Sequence, residues 1–185
     1  MFGLVADAEQ MAEGCVAAEL PRRWNHVRAV AAKAVYVSRI LLHDDADVLI
    51  ASAWLHDVGY ANGVVRTGLH SLDGGLWLLE HGVSSRIASL VAYHSCARFE
   101  AEERGLLPEL TAQFVPESSA VADALWYSDM TTGPDGQDLT VRDRLSEIRE
   151  RYGPEHAVTK FWSRAEPTLL AAVERTQDKL KKLPA

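Results

Sequence analysis

The helical spacing of the apolar residues is the feature that most constrains this 185-residue chain. Apolar side chains recur every third or fourth position through nearly every segment, which is typical of helices with one buried face, and strand-like alternation is weak throughout. This spacing predicts helices at about 7–20, 24–42, 45–57, 70–82, 84–96, 117–129, 140–152 and 154–183. We therefore expect an all-α protein, a bundle of about seven to nine helices.

Capping residues, glycine and proline divide these segments. Thr140 and Asp143 resemble a capping box at the start of the seventh helix. Pro167 is expected to kink the last helix or to split it in two. The stretch 96–119, CARFEAEERGLLPELTAQFVPESS, is the least regular part of the chain, and no helix is predicted between 96 and 117.

Charge and composition exclude several classes of function. A formal net charge of −7 argues against broad binding to nucleic acid, which usually needs a basic surface. No apolar run approaches the length of a membrane span, and the acidic start lacks the basic flank of a secretory signal. Cys15 and Cys96 share no ligand-like spacing, so they are expected to be buried free thiols. We expect a cytoplasmic protein with neither nucleic acid nor membrane as a partner.

Polar residues of metal-ligating type stand at inward positions in five separate segments. The third helix, within VLIASAWLHDVGY, changes from small and apolar residues to His56 and Asp57 at its end. His94 and Asp129 each continue the apolar stripe of their own helix. Burying a carboxylate without a partner costs on the order of several kcal/mol, so partners are expected. The complete set is His26, His56, Asp57, His70, His94 and Asp129.

A divalent cation would satisfy this set. A single inward histidine is more often a core residue than a ligand, but four histidines and two aspartates cannot easily satisfy one another in a dry interior. A cation pairs with carboxylates and neutral imidazoles together. Because the set offers nitrogen and oxygen but no thiolate, it suits Mn, Fe, Co, Ni or Zn better than Ca or Mg. The sequence therefore predicts a site for one or two transition-metal ions.

The ordered set of His26, the pair His56-Asp57, and Asp129 resembles the HD-domain superfamily of metal-dependent phosphohydrolases. The resemblance covers about residues 22–136 and is carried by RRWNHVRAVAAKA, LHDVG, GLHSLDGG, VAYHS and YSDMTTGPDG. It implies a single HD domain over 1–185, of the small bacterial type that acts on nucleotides, with helices at about 140–183 packed on the motif core. It also implies that His26, His56, Asp57 and Asp129 hold a first metal. His70 and His94 match the extra histidines of the dinuclear branch, in which Asp57 would bridge both ions.

The activity implied by this resemblance is hydrolysis of a phosphate ester or anhydride in a nucleotide or a similar small phosphorylated metabolite. His56 and Asp57 are then the catalytic pair, at a centre that activates water for attack on phosphorus. Arginine can bind a phosphate through two parallel hydrogen bonds. The candidate substrate-binding residues are the arginines within four positions of proposed ligands, namely Arg22, Arg23 and Arg98.

Several alternatives stay open from the sequence. The same six residues could hold a pair of irons in an HD-domain oxygenase, or the chain could be a non-catalytic nucleotide-sensing module. His70 and His94 could contact phosphate, which would leave one metal. The apolar stripes within 140–183 are expected to pack on the domain, with a homodimer seam as the weaker alternative.

Overall fold

The helical spacing of the apolar residues is realised throughout residues 3–184, the part of the chain that the computed structural model describes. This part contains no β-strand, only an isolated β-bridge between Thr132 and Asp138, and it confirms the all-α prediction. The α-helices are α1 (Leu4–Ala12), α2 (Pro21–Val37), α3 (His43–Leu55), α4 (His70–Glu80), α5 (Ser85–Tyr93), α6 (Ala97–Arg104), α7 (Leu107–Gln113), α8 (Ala120–Met130), α9 (Val141–Tyr152) and α10 (Ala157–Leu180).

Shorter turns join several of these helices. A π-helical turn, Glu13–Ala17, follows α1 directly, and 3-10 turns cover Ser38–Ile40, Val58–Tyr60 and His94–Cys96. The last two turns follow α3 and α5, the helices that lead into the adjacent His-Asp pair and into His94. The chain therefore changes direction immediately after both of these histidines.

The stretch expected to be irregular, 96–119, contains two helices that the sequence interpretation missed. Helix α6 ends at Gly105, whose φ of 72° lies in the left-handed region that favours glycine. Helix α7 carries Pro108 in its first turn, where proline is tolerated. Each helix spans only about two turns, so the glycine and proline that bound them hid their periodicity.

Pro167 does not split the last helix in two, which was one of the two expected outcomes. Helix α10 runs through it from Ala157 to Leu180. Proline removes one helical hydrogen bond, but the residues on both sides of it are buried in one apolar cluster, with Phe161 and Trp162 before it and Leu169 after it. Packing of the two halves against the same neighbours keeps the helix continuous.

Helix α3 lies at the centre of the helical bundle. It packs against α1, α2, α5 and α8, and its buried positions include Ala51, Ser52 and Ala53, whose small side chains let neighbouring helices approach closely. Its C-terminal end is therefore surrounded by other elements rather than by water. The pair of residues that follows α3 lies inside the protein.

Helices α9 and α10 form one side of the molecule with α6 and α8. Helix α10 packs on α6, α8 and α9, and their shared apolar cluster includes Met130, Leu145 and Trp162. None of the helices within residues 3–184 combines the length and the apolar character needed to cross a bilayer.

Candidate metal centre

His56 and Asp57 occupy the point at which α3 ends and the chain turns. His56 is the C-cap residue of α3, and Asp57 precedes the 3-10 turn Val58–Tyr60. Their exposed fractions are 0% and 2%. Two ionisable side chains in succession are thus withdrawn from water, and the groups around them must compensate for the lost hydration.

Three of the four candidate histidines direct their Nδ1 atoms at backbone carbonyls. Nδ1 of His56 lies 2.7 Å from the carbonyl oxygen of Ala53, and Nδ1 of His94 lies 2.6 Å from that of Val91. Nδ1 of His26 lies 2.9 Å from the carbonyl oxygen of Gly133. A carbonyl can only accept, so each Nδ1 carries a proton, and each ring presents an Nε2 lone pair whenever it is neutral.

These Nε2 atoms face one another and face carboxylate oxygens. The Nε2 atoms of His26 and His56 are 3.4 Å apart, and Nε2 of His26 is 3.1 Å from Oδ1 of Asp129. Nε2 of His70 is 3.2 Å from Nε2 of His94. Acceptor atoms at these distances repel one another unless a proton or a metal ion lies between them. Histidines that ligate a metal through one ring nitrogen generally donate the N–H of the other, as these Nδ1 atoms do to backbone carbonyls.

The six residues form two groups that could each hold a metal ion. Within each group the donor atoms lie within 4.8 Å of one another. The first group is His26, His56 and Asp129, and the second is Asp57, His70 and His94.

Asp57 connects the two groups through its two oxygens. Oδ2 lies 3.3 Å from Nε2 of His56 and 3.8 Å from Nε2 of His26. Oδ1 lies 3.6 Å from Nε2 of His70. A carboxylate that faces two donor groups with separate oxygens has the arrangement needed to bridge two ions. The structure therefore brings all six predicted ligands together around the carboxylate of Asp57, whose two oxygens face different donor groups.

Comparison with protein-family models, curated proteins and solved structures gave no match to this chain. The chemistry of the donor set is thus what indicates the ligand. Four imidazoles and two carboxylates, without a thiolate, fit the first-row transition metals. The buried His/Asp groups could hold a metal ion, and the donors fit those metals.

Electrostatic interactions keep both carboxylates ionised. Burial opposes ionisation of Asp57, but the guanidinium of Arg23 and the imidazole of His56 hold the pKa of Asp57 well below its usual range. Burial likewise opposes ionisation of Asp129, and its hydrogen bond with His26 and the charges of nearby histidines lower its pKa. Both residues can therefore act as anionic ligands at any physiological pH.

The histidines are affected in opposite directions. Burial disfavours the charged form of His56, but Asp57 and Asp129 raise its pKa to about 9. Burial and the neighbouring His94 lower the pKa of His70 to about 3, and burial and His56 lower the pKa of His94. In the metal-free protein a proton on His56 can thus offset part of the negative charge, while His70 stays neutral.

Ser95 was missed by the sequence interpretation and is bonded directly to a candidate ligand. Its Oγ donates a short hydrogen bond to Oδ2 of Asp129, the oxygen that does not face His26. Ser95 has φ 45° and ψ 47°, and Cys96 has φ 63°. Left-handed backbone costs a non-glycine residue roughly 1–2 kcal/mol. Two consecutive residues of this kind mark a backbone held in place by its surroundings.

Two features place His70 beside the centre. A Cβ atom on Gly59 would lie 1.8 Å from the carbonyl oxygen of His70, so only glycine allows the turn after Asp57 to pack on the start of α4. The buried carboxylate of Asp73 accepts hydrogen bonds from three successive backbone N–H groups, those of 66–68. These bonds fix the loop that leads into His70.

Tyr60 and Arg23 close one side of the second group. The ring of Tyr60 stacks on that of His70 with centroids 4.2 Å apart. The guanidinium of Arg23 lies 4.0 Å from the centroid of Tyr60, and its Nη1 donates to Oδ2 of Asp57 at 2.8 Å. Arg23 is thus the predicted substrate-binding arginine that the structure places at the centre.

The other two predicted arginines do not reach it. Arg22 is exposed and forms a two-bond ion pair with Asp135. Arg98 is exposed and lies 3.6 Å from Glu102. Neither of them lines the cleft that opens over the metal ligands.

That cleft has an empty volume of about 860 Å³, including its part open to solvent. Asp57, His70, His94 and Asp129 lie in its wall. The sequence interpretation missed most of its other polar lining residues. They are Tyr60, Ser95, Glu100, Arg104, Arg144, Arg151, Tyr152 and His156. All of these except Tyr60 and Ser95 come from segments outside the sequence motifs quoted above.

Proposed function

We propose that this protein is a metal-dependent phosphohydrolase of the HD type, acting on a phosphate ester or anhydride of a nucleotide or a similar small metabolite. The observation that carries the proposal is the convergence of imidazole lone pairs and two ionised carboxylates, with Asp57 directed at both donor groups. His26, His56 and Asp129 would hold one ion, and His70 and His94 would hold a second. Such ions lower the pKa of water and neutralise the charge of phosphoryl oxygens.

Arginines favour a phosphorylated substrate over a neutral one. Although the whole chain has a net charge of −7, four arginines line the cleft: Arg23, Arg104, Arg144 and Arg151. Guanidinium groups bind phosphate oxygens through paired hydrogen bonds. Arg23 has a further role in this proposal, because its charge keeps Asp57 ionised and ready to bind cations.

The backbone around the centre supplies rigidity. The carbonyls that accept from the Nδ1 atoms orient the rings of His26, His56 and His94 before any ion binds. Ser95 orients Asp129 in the same manner. Pre-oriented ligands lose little conformational freedom on binding, which favours tight binding and a fixed substrate position.

The first experiment is to measure metal content by mass spectrometry, on tag-free protein purified without chelator. We expect close to two equivalents per chain of a transition metal, with phosphate released from at least one compound in a screen of phosphorylated metabolites. Asp57→Ala should lose both the metal and the turnover. His43→Ala is the matched control, because His43 is exposed at the start of α3 and far from the donor set.

Other outcomes identify the alternative functions. Oxygen uptake by iron-loaded protein, without phosphate release, would assign an HD-type oxygenase, since the same donor set can hold two irons. One equivalent of metal would assign His70 and His94 to phosphate binding. Wild-type metal content and turnover in Asp57→Ala would refute the proposed centre altogether.

A further inference from the structure

Arg144 is a buried arginine with an unused hydrogen-bond donor. It lies on α9, which carries none of the six candidate metal ligands, and its exposed fraction is 6%. Its Nη1 donates to Oε2 of Glu147 at 2.5 Å. Its Nε is buried and has no hydrogen-bond partner among residues 3–184. A buried donor left without an acceptor is costly, and this one belongs to a charged group.

The acidic partner of Arg144 and the cleft carboxylate Glu100 are already engaged by other arginines. Arg151 binds Glu147 through Nε at 2.9 Å and through Nη2 at 2.6 Å. Arg104 binds Glu100 through Nε at 2.8 Å. The guanidinium of Arg144 therefore shares its single acidic partner with Arg151. Since Arg144 also lines the cleft, an acceptor for its free donor can come from a molecule that enters there.

We propose that Arg144 binds an oxyanion of the substrate, a phosphate group other than the one at the metal centre. The acceptor must be anionic and present two oxygens, because the planar guanidinium fork matches such groups. The substrate class that follows is a small metabolite with two phosphate groups, one bound at the metal centre and the other by Arg144. This part of the proposal rests on the proposed function, whereas binding of an anion by Arg144 does not.

A second observation supports a ligand-binding role over a structural one. If Arg144 served only to stabilise the fold, its Nε would be satisfied within the protein, as Nε and Nη2 of Arg151 are. Without Arg144, Glu147 would keep both bonds to Arg151. Removal of one partner of an ion pair is costly when it leaves the other charge buried and unpaired, but Glu147 is partly exposed and stays paired with Arg151. We therefore expect Arg144→Met to melt no lower than the wild type.

The test is titration with inorganic phosphate, followed by calorimetry and by the shift in melting temperature, on metal-loaded and on chelator-treated protein. Chelation removes the binding that depends on metal, and the remaining phosphate site should weaken about 10- to 100-fold in Arg144→Met, as expected for a charge-assisted bond. Arg144→Lys should weaken it also, because an ammonium keeps the charge but not the fork. Arg142→Met, at an exposed position on the same helix, is the matched control and should bind as the wild type does.

Kinetics then test the substrate class. With a substrate that carries two phosphate groups, Arg144→Met should raise KM about 10- to 100-fold, and the KM for a substrate with one phosphate group should change little. Unchanged phosphate affinity in Arg144→Met, or an equal rise in both KM values, would overturn the proposal. If the screen finds no turnover while phosphate binding still depends on Arg144, the proposed function fails and the anion site stands.

Discussion

Removal of the Ser95 hydroxyl should weaken metal binding through Asp129, which it orients. Oγ of Ser95 is the partner of Oδ2 of Asp129, and Asp129 is only 6% exposed. In Ser95→Ala this charged oxygen loses its partner within the protein. The net value of a hydrogen bond to a charged group is about 1.5–3 kcal/mol, so we expect the metal-free variant to lose about 2 kcal/mol. For a chain of this length that corresponds to a fall of about 4–8 °C in melting temperature.

The unusual backbone of Ser95 provides a matched second variant. Glycine adopts the left-handed region at no steric cost, so Ser95→Gly loses the hydroxyl but regains roughly 1 kcal/mol relative to Ser95→Ala. We expect it to melt about 2–4 °C below the wild type. Because both variants lack the hydroxyl, both should bind metal about 10- to 100-fold more weakly, the usual effect of removing a group that orients a ligand.

The assay is calorimetric titration of chelated, dialysed protein with Mn²⁺, beside thermal unfolding followed by circular dichroism. Ser84→Ala is the control, since Ser84 caps α5 and its loss should cost about 1 kcal/mol of stability without touching the metal ligands. Wild-type affinity in both Ser95 variants would refute the orienting role of the hydroxyl. Affinity restored in Ser95→Gly alone would show that backbone strain governs the site.

Two further predictions concern the turn after the His-Asp pair and the response to acid. Gly59→Ala places a methyl group 1.8 Å from the backbone oxygen of His70, so it should unfold the protein or lower its melting temperature by more than about 10 °C. Gly63→Ala, with open space around the new methyl group, should melt as the wild type does. Thermal unfolding followed by circular dichroism would compare the two variants. In the chelated protein, the pKa of His70 is lowered to about 3 by burial and by His94. His70 therefore takes up a proton in the unfolded chain at a pH at which it stays neutral in the folded chain. The free energy of unfolding should fall as the pH drops from about 6.5 towards 3. Urea unfolding should show a smaller fall in His70→Gln, and an equal fall in both proteins would contradict this account.

Four of the six candidate ligands, His26, His56, His94 and Asp129, could be predicted because each stands in register with an apolar stripe. Asp57 directly follows His56, and His70 opens its helix one residue after Leu69. His94 and Asp129 extend buried faces of α5 and α8, and the structure buries both of them. The face of a helix on which a residue lies is a local property, which the spacing of a few neighbouring residues predicts. Local sequence also predicted the cap of α9, and the structure confirms it: the side chain of Thr140 accepts from the backbone N–H of Asp143.

The arginines could not be placed by this reasoning. Proximity in sequence to His26 favoured Arg22 and Arg23 equally, yet only Arg23 turns inward, because adjacent helical positions point about 100° apart. Arg144 lies 15 residues after Asp129 in sequence, on a helix without any motif. Its place in the cleft depends on how α9 packs against α8 and α10. Long-range packing of this kind leaves no mark on the local pattern.

The placement of the histidines at helix ends explains why α3 finishes with an imidazole and a carboxylate. The last carbonyls of a helix lack the N–H partners that a further turn would supply. His56 and His94 both direct Nδ1 at a last-turn carbonyl three residues earlier, those of Ala53 and Val91, although the Val91 carbonyl also accepts from the backbone N–H of His94. Each helix terminus thus sets one ring orientation and frees one Nε2. Because the C-terminal end of a helix also carries partial negative charge, two helices ending at one interior point attract a cation there even before the carboxylates are counted.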